Sequence, residues 1–277
     1  MSQTGYTYED DMYLSRAMSS IGKQKEGWKL VLLCALIAMI PIIGPIWSLG
    51  FIYKWAKNIA WGLNEPLSTD DLEISSCLSL GLKVFVVGFV WGLIAFAFFY
   101  ITAPLCEIQV LGPIFSLIGW ALSILIGFAI SVGSLRAVIY DDIAAGLQFA
   151  KVWEMMTRNP GRLVRPILAD VAVSIILSLI ALVVIVLGIS FVGFGFVGLG
   201  YCLHLLDSSS NLALIEYAIR YLPIVFLIVT ALGLLRSLFT TLIYAMWMIQ
   251  FDLPRWGGKE DQIPESLESG QAPHYTV

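Results

Sequence analysis

The chain has 277 residues, of which 58% are hydrophobic and only 13% are charged, and its formal net charge at neutral pH is -4. Soluble domains carry roughly 25% charged residues, so this chain has too little polar surface for a soluble enzyme, and it is too apolar to be disordered. The acidic balance does not favour nucleic acid as a partner. The composition therefore predicts an all-α, polytopic membrane protein.

Residues 1–27 are predicted to be a cytoplasmic N-terminal segment with one helix that lies on the membrane surface. Leu14, Ala17, Met18 and Ile21 fall on one face of this helix, which is the spacing of an interfacial helix. Residues 28–251 form the predicted transmembrane domain. The polar residues 252–277 are predicted to be a disordered cytoplasmic tail.

The first apolar segment, residues 30–53, is long enough to span a bilayer, yet lysines flank both of its ends. Because Lys and Arg favour the cytoplasm, both ends are predicted to lie there. In the middle, Pro41 and Pro45 remove backbone donors and Gly44 permits a sharp reversal. This pattern predicts a re-entrant helical hairpin whose first half-helix ends near Ile40.

A single spanning helix, kinked at the prolines, is the alternative, and it would place the N-terminus outside. If the segment re-enters, its irregular backbone must be shielded by protein or water. We therefore expect the other helices to pack around the turn.

Two further uncharged stretches, residues 84–103 and 108–135, are predicted to span the membrane as an antiparallel pair, because the turn between them is very short. That turn has neither Lys nor Arg, so it is predicted to lie outside. The segment that follows is predicted to be cytoplasmic. Its basic residues are Arg136, Lys151, Arg158, Arg162 and Arg165.

Within this cytoplasmic segment, Asp141 or Asp142 can cap a helix that ends near residues 159–161. Its predicted apolar stripe consists of Ile143, Leu147, Ala150 and Trp153. Arg158, Arg162 and Arg165 at its end are a signal that orients the protein in the membrane. They also form a predicted binding site for anionic lipid headgroups, because each positive charge contributes about 1 kcal/mol near an anionic membrane surface. The two roles are compatible.

Residues 171–203 are 33 residues without a charge. As a helix they would extend roughly 50 Å, well beyond a hydrocarbon core of about 30 Å. Glycines crowd the second half of this stretch. We predict a spanning helix to about Leu187, followed by a Gly-rich piece that bends back into or along the outer leaflet. The alternative is one long tilted helix with close packing at the glycines.

The final apolar stretch, residues 221–251, is predicted to return to the cytoplasm, with Arg236 at its midpoint. An Arg at the bilayer centre normally faces protein or water and has a partner. Asp170, Glu107 and Glu216 do not match its depth. The hairpin turn does, so we predict that Arg236 donates hydrogen bonds to the backbone carbonyls of residues 40–44.

Several short motifs in the first part of the chain are shared with a known family. They are GWK at 27–29, IPIIGP at 40–45, GF at 50–51, GLK at 81–83 and the stretch from Ala144 to Val152. With them the chain resembles an uncharacterised prokaryotic membrane family, domain of unknown function 4013, over roughly residues 25 to 205. Phe51 replaces the usual Tyr, and a Trp of the following loop is missing. The resemblance implies a multi-helix membrane protein, with no established activity and no catalytic residues.

The predicted fold is thus a transmembrane helical bundle with four spanning helices, an N-terminal re-entrant helical hairpin and a Gly-rich bent segment. With two histidines and four isolated cysteines, the sequence offers no catalytic triad or zinc site. The protein is therefore predicted not to be an enzyme and to need no cofactor.

We expect a multi-pass protein of the cell (plasma) membrane, with both termini in the cytoplasm, that acts as an accessory or organising component of a membrane complex. Its expected partners are membrane lipids and a partner membrane protein or a second copy. The alternative function is a small-solute transporter or channel that uses the broken helix at residues 41–45.

Overall fold

A computed structural model describes residues 13–22, 27–61, 73–106, 112–158, 160–203 and 210–251. Throughout this part the chain is helical and forms no strand. The predicted disordered tail, 252–277, lies outside the described residues. The helices in chain order are α1 (Tyr13–Gly22), α2 (Gly27–Ala38), α3 (Ile43–Ala60), α4 (Ile74–Cys106), α5 (Gly112–Ile139), α6 (Ile143–Gly146), α7 (Phe149–Arg158), α8 (Pro160–Leu203), α9 (Ser210–Met248) and a final 3-10 turn (Ile249–Phe251).

Four helices within the described ranges are long and apolar enough to cross a membrane: α4, α5, the Pro160–Gly188 part of α8, and the Pro223–Phe251 part of α9 together with the final turn. Their lengths follow from the charge-free stretches of the sequence. The prediction of an all-helical membrane protein with four such helices is confirmed.

Helices α2 and α3 form a helical hairpin. Ser48 Oγ donates a hydrogen bond to the carbonyl of Cys34 (3.0 Å), which lies 14 residues away. In one continuous helix these residues would be about 21 Å apart, so the chain reverses between α2 and α3 and does not form a single kinked helix. Helix α2 has 12 residues, or about 18 Å, and is too short to cross the hydrocarbon core alone.

Helix α3 crosses α4 at backbone contact through two glycines. A Cβ atom at Gly50 would lie 1.7 Å from the carbonyl oxygen of Cys77, and one at Gly81 would lie 1.8 Å from that of Ile46. No side chain fits at either position. This contact fixes the hairpin against the first long helix.

The core lies at the end of the bundle that carries the segment between α5 and α8. There Phe128 of α5 makes edge-to-face contacts with Tyr244 and Trp247 of α9, at 4.6 and 4.9 Å between ring centroids. Toward the other end most large apolar side chains are exposed, as Tyr100 (73%) and Leu117 (67%) illustrate. The faces that remain exposed there are suited to lipid or to a partner protein.

The segment between α5 and α8 folds as two helices, α6 and α7, where the sequence predicted one. Asp142 caps α6, as expected, by accepting from the amide of Ala144 (2.9 Å). The carbonyl of Ala145, which in a continuous helix would accept from the amide of Phe149, instead accepts from Nε of the fully buried Arg136 (3.2 Å). This long-range contact ends α6 and explains the break.

The buried stripe of α7 also differs from the predicted one. Val152, Met155 and Met156 are buried, whereas Trp153 is 64% exposed. Two contacts from α4 hold the segment: Lys83 Nζ lies 2.6 Å from Asp141 Oδ1, and Trp91 Nε1 donates to the carbonyl of Gly146 (3.1 Å).

Helix α8 continues without a break from Pro160 to Leu203, so the backbone stays helical through the Gly-rich residues. Its 44 residues correspond to about 66 Å. Whether this helix bends along the outer leaflet or crosses at a tilt stays a prediction. Helix α1 forms as expected, with Ala17 buried against the core and Met18 exposed.

Candidate functional site: a polar row between α8 and α9

The turn between α2 and α3 contains three of the residues singled out from the sequence, Pro41, Gly44 and Pro45. Between them, Ile42 has φ 69° and ψ -60°, and the amide of Ile43 donates to the carbonyl of Pro41 (2.8 Å). Ile42 is therefore the central residue of a γ-turn with positive φ, which a β-branched residue rarely adopts. Pro45 lies in the first turn of α3, where its missing N–H removes no helical hydrogen bond.

Gly44 is required by the close approach of the two arms of the hairpin. A Cβ atom there would lie 2.0 Å from the carbonyl oxygen of Ile37. The amide of Gly44 donates to the carbonyl of Ile40 (3.0 Å), and the amides of Met39 and Ile40 donate to those of Leu36 and Ile37. The turn thus satisfies much of its backbone hydrogen bonding locally.

The expected shielding of the turn by other helices is not observed in the described part of the chain. Ile42 is 77% exposed and Ile43 is 58% exposed. The local hydrogen bonds explain why the turn can do without protein neighbours, because they occupy backbone groups that would otherwise need partners. The side chains that it presents outward are apolar.

Arg236 does not contact the turn. Its Nε donates to Ser174 Oγ of α8 (3.1 Å), so the predicted contact with the carbonyls of residues 40–44 is wrong. Leu234, two residues earlier, packs against the cluster around Trp47 in the hairpin. Because successive residues of a helix are rotated by about 100°, Arg236 faces another side of α9. The carbonyl of Ile40 is also already occupied within the turn.

Arg236 belongs instead to a line of polar side chains along the contact between α8 and α9. Thr240 Oγ1 donates to Asp170 Oδ1 (2.6 Å), and the Tyr244 hydroxyl donates to Asp170 Oδ2. Thr240 and Tyr244 are one helical turn apart, so both hydroxyls reach the same carboxylate. We call Asp170, Ser174, Arg236, Thr240 and Tyr244 the polar row.

A second polar group continues from the row into the core. The hydroxyl of Tyr53 on α3 lies within hydrogen-bonding reach of Ser131, Ser134 and Thr241. Tyr53, Ser134 and Thr241 are buried. Tyr53 and Tyr244 belong to the same cluster of buried core residues. Paired hydroxyls of this kind hold membrane helices together.

The two ends of the polar row differ in exposure. Tyr244 is fully buried, whereas Arg236 is exposed. Nothing in the described part of the chain forms a hydrogen bond or an ion pair with the two Nη groups of Arg236, and Asp170 is not within ion-pair distance of them. Ser174, its partner through Nε, lies nine residues beyond Arg165, which corresponds to about 14 Å along α8. The guanidinium group is therefore deep in the span.

The predicted lipid-binding residues cluster at the junction of α7 and α8. Arg158 ends α7, and Arg162 and Arg165 lie near the start of α8. Arg158 and Arg165 are exposed, and Arg162 is half-buried. An anion near the beginning of a helix is favoured by the helix dipole as well as by the arginines.

The carboxylate of Asp170 lies at the centre of the polar row, although its predicted depth does not match that of Arg236. Its true partners, Thr240 and Tyr244, were identifiable from their spacing of four residues, but such a pair also occurs on ordinary core helices. Among the described residues, no group of three or more His, Cys, Asp or Glu could hold a metal ion. The polar groups of the row are hydroxyls, one carboxylate and one guanidinium group.

The family model described as a protein of unknown function, DUF4013, matches residues 33–194. This range contains the α2–α3 turn, the three arginines at the junction of α7 and α8, and Asp170, but it ends before α9 and Arg236. No curated protein and no solved structure matches the chain. Since the match covers more than half of the sequence and lies within the region that carries the shared motifs, the chain belongs to the DUF4013 family.

Proposed function

We propose that the protein is a non-enzymatic integral membrane protein that serves as an accessory or organising component of a larger membrane complex. The observation that supports this is Arg236, which is exposed, lies deep in the span and has two Nη groups without a partner among the described residues. An Arg at the centre of a bilayer costs about 2.5–3.5 kcal/mol on insertion scales. Contact with another membrane protein would reduce that cost.

The experiment is to isolate the protein from gently solubilised membranes and to measure the mass of the native particle. We expect a heteromeric complex of defined stoichiometry, because the complex supplies the partner that Arg236 lacks. Arg236→Leu should release the protein from it, whereas Lys151→Leu, which removes a positive charge from α7 outside the long apolar helices, should not. A wild-type protein that is isolated alone would contradict the proposal.

The α2–α3 hairpin enters the membrane from the cytoplasm in this proposal and returns there. Helix α2 is too short to span, and its exposed face is apolar, with Leu32 at 55% and Leu36 at 48%. Ile42 at the tip is exposed and apolar. Both termini then lie in the cytoplasm, and the protein is a multi-pass protein of the cell membrane.

Cysteine labelling tests this topology. Glu26→Cys and Asn64→Cys, placed before and after the hairpin, should both react with a membrane-impermeant thiol reagent from the cytoplasmic side alone. Native Cys106, which is exposed at the opposite end of α4, is the control and should react from the outside. Reaction of the cysteine at position 26 from the outside would refute the re-entrant hairpin.

Arg158, Arg162 and Arg165 bind anionic lipid headgroups in this proposal. This role is supported by the position of all three arginines at the junction of α7 and α8, beside the start of a helix. A structure in lipid nanodiscs with the three guanidinium groups turned away from phosphate would contradict it.

Transport of a small solute is the second candidate, and Asp170 favours it. An ionisable side chain within a membrane span is often functional, and here two hydroxyls hold its carboxylate between two helices. Solute flux through liposomes that contain the protein alone would support this candidate over the first.

A further inference from the structure

We propose that the partner contributes a transmembrane helix with a carboxylate at mid-membrane level, and that this carboxylate pairs with the two Nη groups of Arg236. This inference rests on the proposed function and states what chemistry the partner must have. It follows from the orientation of the guanidinium group, the charges of the chain and the shape of the surface beside it.

The guanidinium group is oriented for a carboxylate. Ser174 takes the hydrogen bond from Nε, which fixes the plane of the group and leaves its Nη edge free among the described residues. Two parallel N–H groups match the two oxygens of a carboxylate, and such bidentate pairs are short and strong. A single carbonyl of a partner would satisfy only part of this edge.

The chain itself does not supply that carboxylate. The stretches 84–103, 108–135, 171–203 and 221–251 contain neither Asp nor Glu. Asp170 is held by Thr240 and Tyr244, and its level on α8 differs from that of Ser174 by four residues, or about 6 Å. A symmetric dimer would keep each residue at its own depth. The occupant is therefore a different chain rather than a second copy.

The surface beside Arg236 allows a helix to approach. Gly233, one turn before it on α9, is exposed, and a Cβ atom there would meet nothing within 4 Å. Small residues at such positions let the backbones of membrane helices come close. Phe226, on the same side of α9 and seven residues before Gly233, is 57% exposed and apolar. The site thus combines one charge with an otherwise apolar helix surface.

A synthetic helix serves as the probe. It is a poly-leucine transmembrane peptide with one Glu at its centre. Two otherwise identical peptides carry Gln or Leu at that position. Energy transfer between labelled peptide and labelled protein in phosphatidylcholine vesicles measures binding. We expect the Glu peptide to bind at least about tenfold more tightly than the Leu peptide, which corresponds to about 1.4 kcal/mol, with the Gln peptide in between.

Variants assign this preference to Arg236. Arg236→Leu should abolish it, Arg236→Lys should retain part of it, and Arg236→Glu should favour a peptide with a central Lys instead. Lys151→Leu, which removes a positive charge from α7 outside the long apolar helices, is the control and should bind like the wild type. Equal binding of the Glu and Leu peptides to the wild-type protein would overturn the inference, and this comparison needs no variant to fold. Energy transfer between two labelled copies that depends on Arg236 would also overturn it.

The outcomes separate this inference from the proposed function. A native heteromeric complex that survives Arg236→Leu would leave the accessory role standing and remove the carboxylate partner. Preference for the Glu peptide by a protein that is isolated alone from its membrane would support the binding site and remove the accessory role.

Discussion

Gly50→Ala and Gly81→Ala should each prevent the protein from reaching a stable folded state. Each new Cβ atom would lie 1.7 or 1.8 Å from a backbone carbonyl oxygen of the neighbouring helix, and no rotamer change can relieve a clash with backbone. Overpacking a core typically costs about 1–3 kcal/mol when side chains can adjust. Here α3 and α4 must separate, so we expect a loss above that range. Thermal unfolding in mild detergent measures it.

Gly88→Ala and Gly92→Ala are the matched controls on α4. A Cβ atom at either position meets nothing within 4 Å. Alanine also favours a helix over glycine by about 1 kcal/mol, so these variants should be as stable as the wild type or more stable. If Gly50→Ala unfolds at the temperature of Gly88→Ala, the backbone contact between α3 and α4 does not exist in the protein.

Removing both hydroxyls that hold Asp170 should destabilise the protein more than removing the carboxylate with them. In Thr240→Val/Tyr244→Phe the carboxylate stays between α8 and α9 without its two donors. A charged group that loses its hydrogen bonds in a water-poor site costs more than about 1–3 kcal/mol. Adding Asp170→Leu removes the unpaired group, and we expect the triple variant to recover part of the stability.

The measurement is again unfolding in mild detergent, for the wild type, the double variant and the triple variant side by side. Thr102→Val is a control, because its hydroxyl bonds only to carbonyls of its own helix at Phe98 and Phe99 and is not needed to join two helices. A triple variant less stable than the double variant would show that the carboxylate contributes stability beyond its bonds to the two hydroxyls.

The long helices could be predicted from the sequence because hydrocarbon demands length and a lack of charge, and both are visible residue by residue. The reversal at Pro41, Gly44 and Pro45 was predictable for a similar reason, since backbone restrictions are local. The partner of Arg236 could not be predicted from the sequence. It depends on the rotation of α9, which apolar residues on every side of the helix leave undetermined.

The break between α6 and α7 shows a second limit. The sequence pattern predicts one helix here, but two side chains from other helices take carbonyls that would continue it: Arg136 Nε takes that of Ala145, and Trp91 Nε1 takes that of Gly146. A contact between elements thus overrides local preference. Arg136 was recognised as a topology signal, but a basic residue at the end of a span does not reveal that its side chain is fully buried.

The γ-turn at Ile42 has a consequence for biosynthesis. The hydrogen bonds of the turn, and the one from Ser48 to Cys34, join residues that all lie between positions 34 and 48. A nascent chain can complete them once α3 has left the ribosome, before α4 exists to pack against it. The hairpin can therefore form as a self-contained unit before α4 is made, and Gly50 then offers α4 a position at which the two backbones can meet.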